Sequence, residues 1–240
     1  MKTRLDRLIL DRGLAESREK AQALVMAGEV RVNGQKAAKP GQTVDDAALV
    51  EVLSRPPYVS RGGFKLAAAL RHWSIDVAGL VCLDIGSSTG GFTDVLLQSG
   101  AARVHAVDVG VGQLDWKLRT DSRVALHEGV NARELTFGQI GERCDLLTCD
   151  VSFISVTLIL PAAAALLQPE GRMVILVKPQ FEVGKGQVGK GGIVREPELH
   201  RAACERVEAA VRELSFQTEI MGSPIAGAEG NKEFLLYGRH

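Results

Sequence analysis

Apolar positions along the chain follow one rule before residue 55 and another after it. Early on, Leu5, Leu8 and Ile9 have helical spacing, and Ala21, Leu24 and Val25 repeat it. Ser17 stands where the second helix needs an N-cap, Glu19 lies near its positive end, and Gly28 closes it. Val30-Arg31-Val32 then alternates and runs into Asn33-Gly34, a strong short signal for a hairpin. Val50-Glu51-Val52 offers a further strand. The pattern predicts a small α+β unit over residues 1–54. Arg55-Pro56-Pro57-Tyr58 reads as a stiff linker, expected over 55–59, because paired prolines block both helix and central strand.

After the linker, apolar runs alternate with helical patterns. Strands are expected over Leu80–Ile85, Val104–Asp108, Val124–His127, Asp145–Asp150, Met173–Lys178, Phe216–Met221 and Glu233–Tyr237. Helices are expected after the glycines near Phe92, over Leu158–Leu167 and over Glu198–Leu214. Such alternation predicts a Rossmann-like α/β domain over 60–240. Its sheet is mostly parallel and helix-covered, with an antiparallel strand near the C-terminus. A ligand belongs at the carboxyl ends of the first strands, where the strand order reverses.

Composition narrows the partners. With 45% apolar residues in 240, a real core is expected. Lys+Arg and Asp+Glu are equal at 29 each, so an argument for nucleic acid must rest on local charge. From Lys2 to Lys36 there are eight basic residues against five acidic. Arg4 and Arg7, three apart, are expected on one helix face. That surplus fits either a phosphate-binding face or an ordinary solvated one. Arg55, Arg61, Lys65 and Arg71 form a second basic stretch with no acid among them, which suits RNA. The N-terminus does not read as a signal peptide, and the longest apolar run is too short to span a bilayer. Cys82, Cys144, Cys149 and Cys204 lack metal-site spacing. A reduced, cytoplasmic protein without metal or membrane partner is expected.

The first long strand ends in Asp84-Ile85-Gly86-Ser87-Ser88-Thr89-Gly90-Gly91-Phe92. Glycines let the backbone turn sharply and approach a ligand closely. Asp108 ends the next strand about twenty residues on, where a carboxylate can accept both ribose hydroxyls of an adenosine. A dinucleotide loop of Gly-x-Gly-x-x-Gly form is absent, and the spacing fits S-adenosylmethionine better. Gly86, Ser87, Ser88, Gly90, Gly91 and Phe92 would then form the cradle. The Asp84 region would help hold the cofactor's ammonium, and Asn131 would either bond the adenine or serve as a turn residue. Gly184 to Gly191 nearly spells a phosphate-binding loop, but Gly191 occupies the position of the required hydroxyl residue, so a mobile basic flap is expected instead.

Asp150, Lys178 and Glu233 fall at sheet ends in this scheme, and Lys65 lies just before the sheet begins, all around one crevice. Their pattern resembles the Lys-Asp-Lys-Glu tetrad of FtsJ-like ribose methyltransferases. End to end, the chain resembles the haemolysin-A-type (TlyA) rRNA methyltransferases. The matching segments are Tyr58 to Leu66, Asp84 to Thr93, Cys149 to Ser155, Val177 to Glu182 and Gly230 to Glu233. The N-terminal run, from Arg4 through Ser17-Arg18-Glu19-Lys20-Ala21 to Val30-Arg31-Val32-Asn33-Gly34, resembles an RNA-binding module shared with ribosomal small-subunit protein four. The resemblance implies a tetrad of Lys65, Asp150, Lys178 and Glu233, with Asp150 also beside S-adenosylmethionine. It also implies rRNA or ribosomal subunits as substrate, bound through Arg4, Arg7, Ser17, Arg18, Lys20, Arg61, Lys65 and Arg71. Two other classes stay open: an RNA-binding protein with an inactive methyltransferase fold, and a membrane-lytic haemolysin.

Overall fold

The computed structural model describes residues 2–53, 57–227 and 229–240. Of the expected linker, Arg55 and Pro56 lie outside the described residues. The chain divides into two compact units, Met1–Pro57 and Tyr58–His240.

In the first unit, strand β1 (Lys2–Arg4) leads directly into helix α1 (Leu5–Asp11), and α2 (Arg18–Met26) follows. Four short strands complete it: β2 (Val30–Val32), β3 (Gln35–Lys36), β4 (Thr43–Asp45) and β5 (Val50–Val52). Ser17 caps α2 by accepting from the Lys20 amide. Asn33 and Gly34 both take positive φ, 52° and 80°, as the tight β2–β3 hairpin requires. Leu5, Leu8, Ile9, Ala21, Val25 and Val30 are buried in the unit's own core. The antiparallel β1–β4 pair was not foreseen, because three-residue strands carry too little alternation to read. It also moves Arg4. This residue ends a strand and stands at the N-cap of α1, so it does not share a helix face with Arg7 as expected.

The second unit opens with α3 (Gly62–His72), β6 (Val81–Ile85), α4 (Gly91–Gln98) and β7 (Arg103–Asp108). Then come α5 (Trp116–Arg119), β8 (Val124–Glu128), α6 (Phe137–Ile140), β9 (Cys144–Cys149) and α7 (Leu160–Ala164). The chain ends with β10 (Leu167–Val177), α8 (Pro179–Glu182), α9 (Pro197–Glu213), β11 (Gln217–Gly222) and β12 (Phe234–Arg239). One seven-stranded sheet runs β11-β12-β10-β9-β6-β7-β8. Its pairs are parallel from β10 through to β8, and β12 alone runs antiparallel, to both β10 and β11.

Both faces of the sheet are covered. Leu83, Ile85, Leu147, Ile175 and Val207 belong to one buried cluster. Leu66, Phe92, Leu96, Leu146 and Val174 belong to the other. All four cysteines are buried in this unit, and burial pushes the thiols of Cys144 and Cys204 up to about 12 and about 11. The helix expected over Leu158–Leu167 is shorter than its apolar run. A 3₁₀ turn at Val156–Leu158 precedes α7, whose start accommodates Pro161, and Leu167 already belongs to β10. Among the described residues no helix is long and apolar enough to cross a membrane.

Candidate active site

The sheet order reverses between β6 and β9, and the two chain ends that leave there meet closely. Gly86 follows β6 with φ +79°, and a Cβ on it would lie 2.4 Å from the carbonyl oxygen of Asp150. Only glycine permits both the turn and the approach. Gly90 turns the chain into α4 at φ +97°, where a Cβ would meet Leu118 at 2.2 Å. Asp108, at the end of β7, fixes this loop. Its carboxylate accepts from the Ser88 amide at 2.8 Å and from the Gly110 amide at 2.7 Å.

Beside this turn lies a cavity of about 580 Å³. Asp108 lines it together with apolar Val107, Val130 and Ile159. A carboxylate at the rim of an apolar slot offers an acceptor for ribose hydroxyls and an apolar surface for a base. Asn131 also lines it, but its side chain serves as the cap of a 3₁₀ turn, accepting from the Arg133 amide and donating to Glu134. Asp84 is placed differently from Asp108. It is fully buried beneath the loop, accepts from Thr93 at 2.6 Å and Thr148 at 2.8 Å, and lines none of the cavities described here. Burial pushes its carboxyl up to about 6, partly offset by the two threonines.

The four residues far apart in sequence form two ion pairs. Lys178, directly after β10, places Nζ 2.6 Å from Oδ1 of Asp150. Lys65, on α3, places Nζ 2.6 Å from Oε2 of Glu233, with both side chains buried. Lys65, Asp150 and Lys178 line one cavity of about 450 Å³ with the Gly86–Phe92 loop. Lys65, Lys178 and Glu233 line a neighbouring one of about 380 Å³. The two lysines border both, so the four residues line two neighbouring cavities.

Ser152 was not singled out from the sequence. Its hydroxyl accepts from Lys178 Nζ at 2.8 Å, and it lines all three cavities. Phe153, next to it, has φ +67° and a side chain exposed to solvent beside Phe181. No periodicity marks either residue, since both lie in a loop. Glu182, buried at the end of α8, secures that loop by accepting from Ser155 Oγ at 2.5 Å and from the Val156 amide at 2.8 Å.

The expected RNA contacts are scattered. Arg61 lines the first tetrad cavity and donates to the Ala226 carbonyl. Arg71 lies in the last turn of α3 and lines none of the cavities. In the first unit, Arg4 and Arg18 both donate to buried Asp6, at 2.8 Å and 3.1 Å. Arg7 pairs loosely with Asp11 and Lys20 pairs with Glu16, all four on the surface. Ser17 serves as a helix cap. The glycine-rich stretch after α8 forms two 3₁₀ turns, Lys185–Gln187 and Lys190–Gly192, and the next α-helix begins only at Pro197. Among the described residues no group of His, Cys, Asp and Glu could hold a metal ion.

A mostly parallel seven-stranded sheet with one antiparallel strand, a glycine-turned crevice and an acid closing the second parallel strand define a Rossmann-like methyltransferase domain. Residues 58–240 match the FtsJ-like methyltransferase family and residues 3–50 the S4 domain; the chain belongs to the FtsJ-like methyltransferase family. It is 47% identical to the 16S/23S rRNA (cytidine-2′-O)-methyltransferase TlyA of Mycobacterium tuberculosis, over 99% of this chain and 90% of that protein. Hemolysin A of Brachyspira hyodysenteriae is 41% identical, over 98% of each chain. A solved structure from Streptococcus thermophilus that carries a hemolysin name superposes with a TM-score of 0.76 at 45% identity, covering 99% of this chain and 88% of that one.

Proposed function

We propose that this protein transfers a methyl group from S-adenosylmethionine to the ribose 2′-hydroxyl of a cytidine in ribosomal RNA. The observation that carries the proposal is the pair of lysine–carboxylate contacts lining two neighbouring cavities, beside the Gly86 turn, in a chain so similar to the mycobacterial enzyme. The cofactor, when bound, supplies a methyl carbon on a sulfonium cation. The slot bordered by Asp108, Val130 and Ile159 would hold its adenosine, with the Gly86–Phe92 backbone beside the remainder.

A ribose hydroxyl is a weak acid and a poor nucleophile, so negative charge developing on its oxygen must be stabilised. An ammonium has three N–H groups. Lys178 donates one to Ser152 and is ion-paired with Asp150, so a further N–H can meet the sugar oxygen while the hydroxyl proton passes to water in the crevice as the oxygen takes up the methyl group. Asp150 orients Lys178, and Glu233 does the same for Lys65. Lys65 adds a second positive charge to the crevice and, with Arg61, can hold the target's phosphate. Holding oxygen and methyl carbon in line at near contact supplies most of the rate gain.

The S4 unit is the RNA-binding module of this reading. Arg4 and Arg18 stand half-exposed on the buried Asp6, with Arg7 and Lys20 beyond as surface cations. With ribosomes as substrate, the enzyme works in the cytoplasm.

The Lys178→Ala variant tests the assignment. Methylation of ribosomal subunits is expected to fall by at least about a hundredfold, with S-adenosylmethionine affinity by calorimetry staying within a few fold. Wild-type turnover in that variant removes Lys178 from the mechanism. A wild-type protein that binds no cofactor and modifies no rRNA ends the proposal.

A further inference from the structure

An acid stands at the centre of the cations of the S4 unit. Asp6 is fully buried, and among the described residues its carboxylate accepts from five donors. Nε and Nη2 of Arg4 grip it as a fork, at 3.1 Å and 2.8 Å. Nε of Arg18, at the start of α2, meets the Oδ2 atom that Arg4 Nη2 also bonds, at 3.1 Å, and Gln22 Nε2 joins them at 2.9 Å. The Arg7 amide completes the set. Gly41 closes one side of the Arg4 guanidinium, for a Cβ there would lie 3.1 Å from both Nη atoms. The turn that carries Gly41 is fixed to the start of α1, Pro40 accepting from the Asp6 amide and Gln42 from the Leu5 amide. A guanidinium has five N–H groups, so the bonds to Asp6 leave both arginines with donors to offer, and both side chains are half-exposed. Charge alone gives no reason for this arrangement. An anion among phosphate-binding cations weakens the attraction to RNA, and burying a carboxylate is costly. What the acid supplies is order. Two long side chains already held in place lose little freedom when a ligand arrives.

We propose that Asp6 positions Arg4 and Arg18 as a fixed pair of guanidinium groups that takes a phosphate of the ribosomal RNA. The inference rests on the reading of the S4 unit as the RNA-binding module and adds how that module holds its substrate. Both arginines bond one oxygen of Asp6, which keeps the two groups within reach of a single phosphate. Guanidinium N–H groups meet phosphate oxygens in a fixed fork, whereas an ammonium acts as a point charge. Arg7 and Lys20 are held differently. Arg7 lies 3.7 Å from Asp11, Lys20 pairs with Glu16, and all four side chains are exposed, so these acids screen a charge without fixing it. Asp6 touches no RNA in this scheme and acts through the two arginines.

The sign of one substitution separates positioning from plain charge. Asp6→Asn removes a negative charge, so charge alone predicts tighter binding of the full-length protein to ribosomal subunits. Positioning predicts binding about tenfold weaker, read as a raised KM for subunits and not as a lowered kcat. Asp11→Asn and Glu16→Gln, which remove exposed acids, are expected to bind as tightly as wild type or more tightly. Arg4→Lys combined with Arg18→Lys keeps every charge but loses the fork, and is expected to weaken binding by a similar factor. Thermal melts establish that Asp6→Asn is folded at the assay temperature, and the lysine pair decides the matter if it is not. A folded Asp6→Asn variant or a lysine pair that binds as tightly as wild type overturns the inference, as does an equal loss in Asp11→Asn and Glu16→Gln. Arg4→Gln, Arg18→Gln and Asp6→Asn together remove the cluster without leaving a buried charge unpaired. That triple variant is expected to bind still more weakly and with a flatter salt dependence. If it keeps wild-type affinity and salt dependence, the RNA-binding reading of the S4 unit falls and the inference with it. If it loses both while Asp6→Asn alone binds as tightly as wild type, only the inference falls.

Discussion

At the residue scale, two side chains outside the expected set carry much of the organisation. Asp6 is fully buried, yet it collects donors from Arg4, Arg18 and Gln22. The Arg4 guanidinium beside it, aided by Gln22 and Arg18, holds its carboxyl well below the usual carboxylate range despite burial. A carboxyl lowered in the folded state adds stability that is present above its unfolded pKa of about 4 and is lost as pH falls toward the folded value. Asp6→Asn is expected to cost about 1–3 kcal/mol at neutral pH, toward the low end because both arginines are half-exposed. The wild type should also lose stability below pH 4 by a limb that the variant lacks, which thermal melts across that range will measure. Ser152 is the second such residue. Removing its hydroxyl takes a hydrogen bond from the Lys178 ammonium, so Ser152→Ala should lower kcat about tenfold or more. Cofactor affinity should stay unchanged, and Ser152→Thr should recover most of the rate. Equal kcat in Ser152→Ala and wild type would separate the serine from catalysis.

At the element scale, the meeting of the β6 and β9 ends is the joint on which the crevice depends. Gly86 needs positive φ and has no room for a methyl group, because the obstruction is the Asp150 backbone and not a movable side-chain tip. Gly86→Ala is expected to destabilise the fold by about 2–4 kcal/mol and to push Asp150 away from Lys178. Denaturant unfolding and methylation rate should therefore fall together. The glycine turn was legible from its sequence, as was its place after the first long strand. That its neighbour is Asp150 was not legible, since 64 positions separate the two and only the parallel β6–β9 pairing brings them together. Asp84 shows the reverse limit. Its position before the glycine loop suggested a ligand contact, but in a five-residue strand whose last four residues are buried it points into the core and pairs with two threonines.

At the scale of the whole molecule, each unit carries its own hydrophobic core. Residues 58–240 expressed alone are expected to fold and to bind S-adenosylmethionine within a few fold of the full chain. Without the S4 unit, methylation of ribosomal subunits should drop by about tenfold or more, and the loss should shrink at low salt, where weaker phosphate contacts suffice. Calorimetry and salt-dependent rates check both statements. Undiminished activity at physiological salt would remove the S4 unit from substrate selection.

The alternation of strand and helix patterns, the hairpin at Asn33-Gly34, the Ser17 cap and the glycine loop follow from the chain itself, because each rests on contacts between residues close in sequence. Tertiary structure alone decided the rest. It set which carboxylate meets which lysine, turned Arg4 and Arg18 toward Asp6 and brought Ser152 to Lys178. Those outcomes depend on sheet order and on burial, and local spacing carries no record of either.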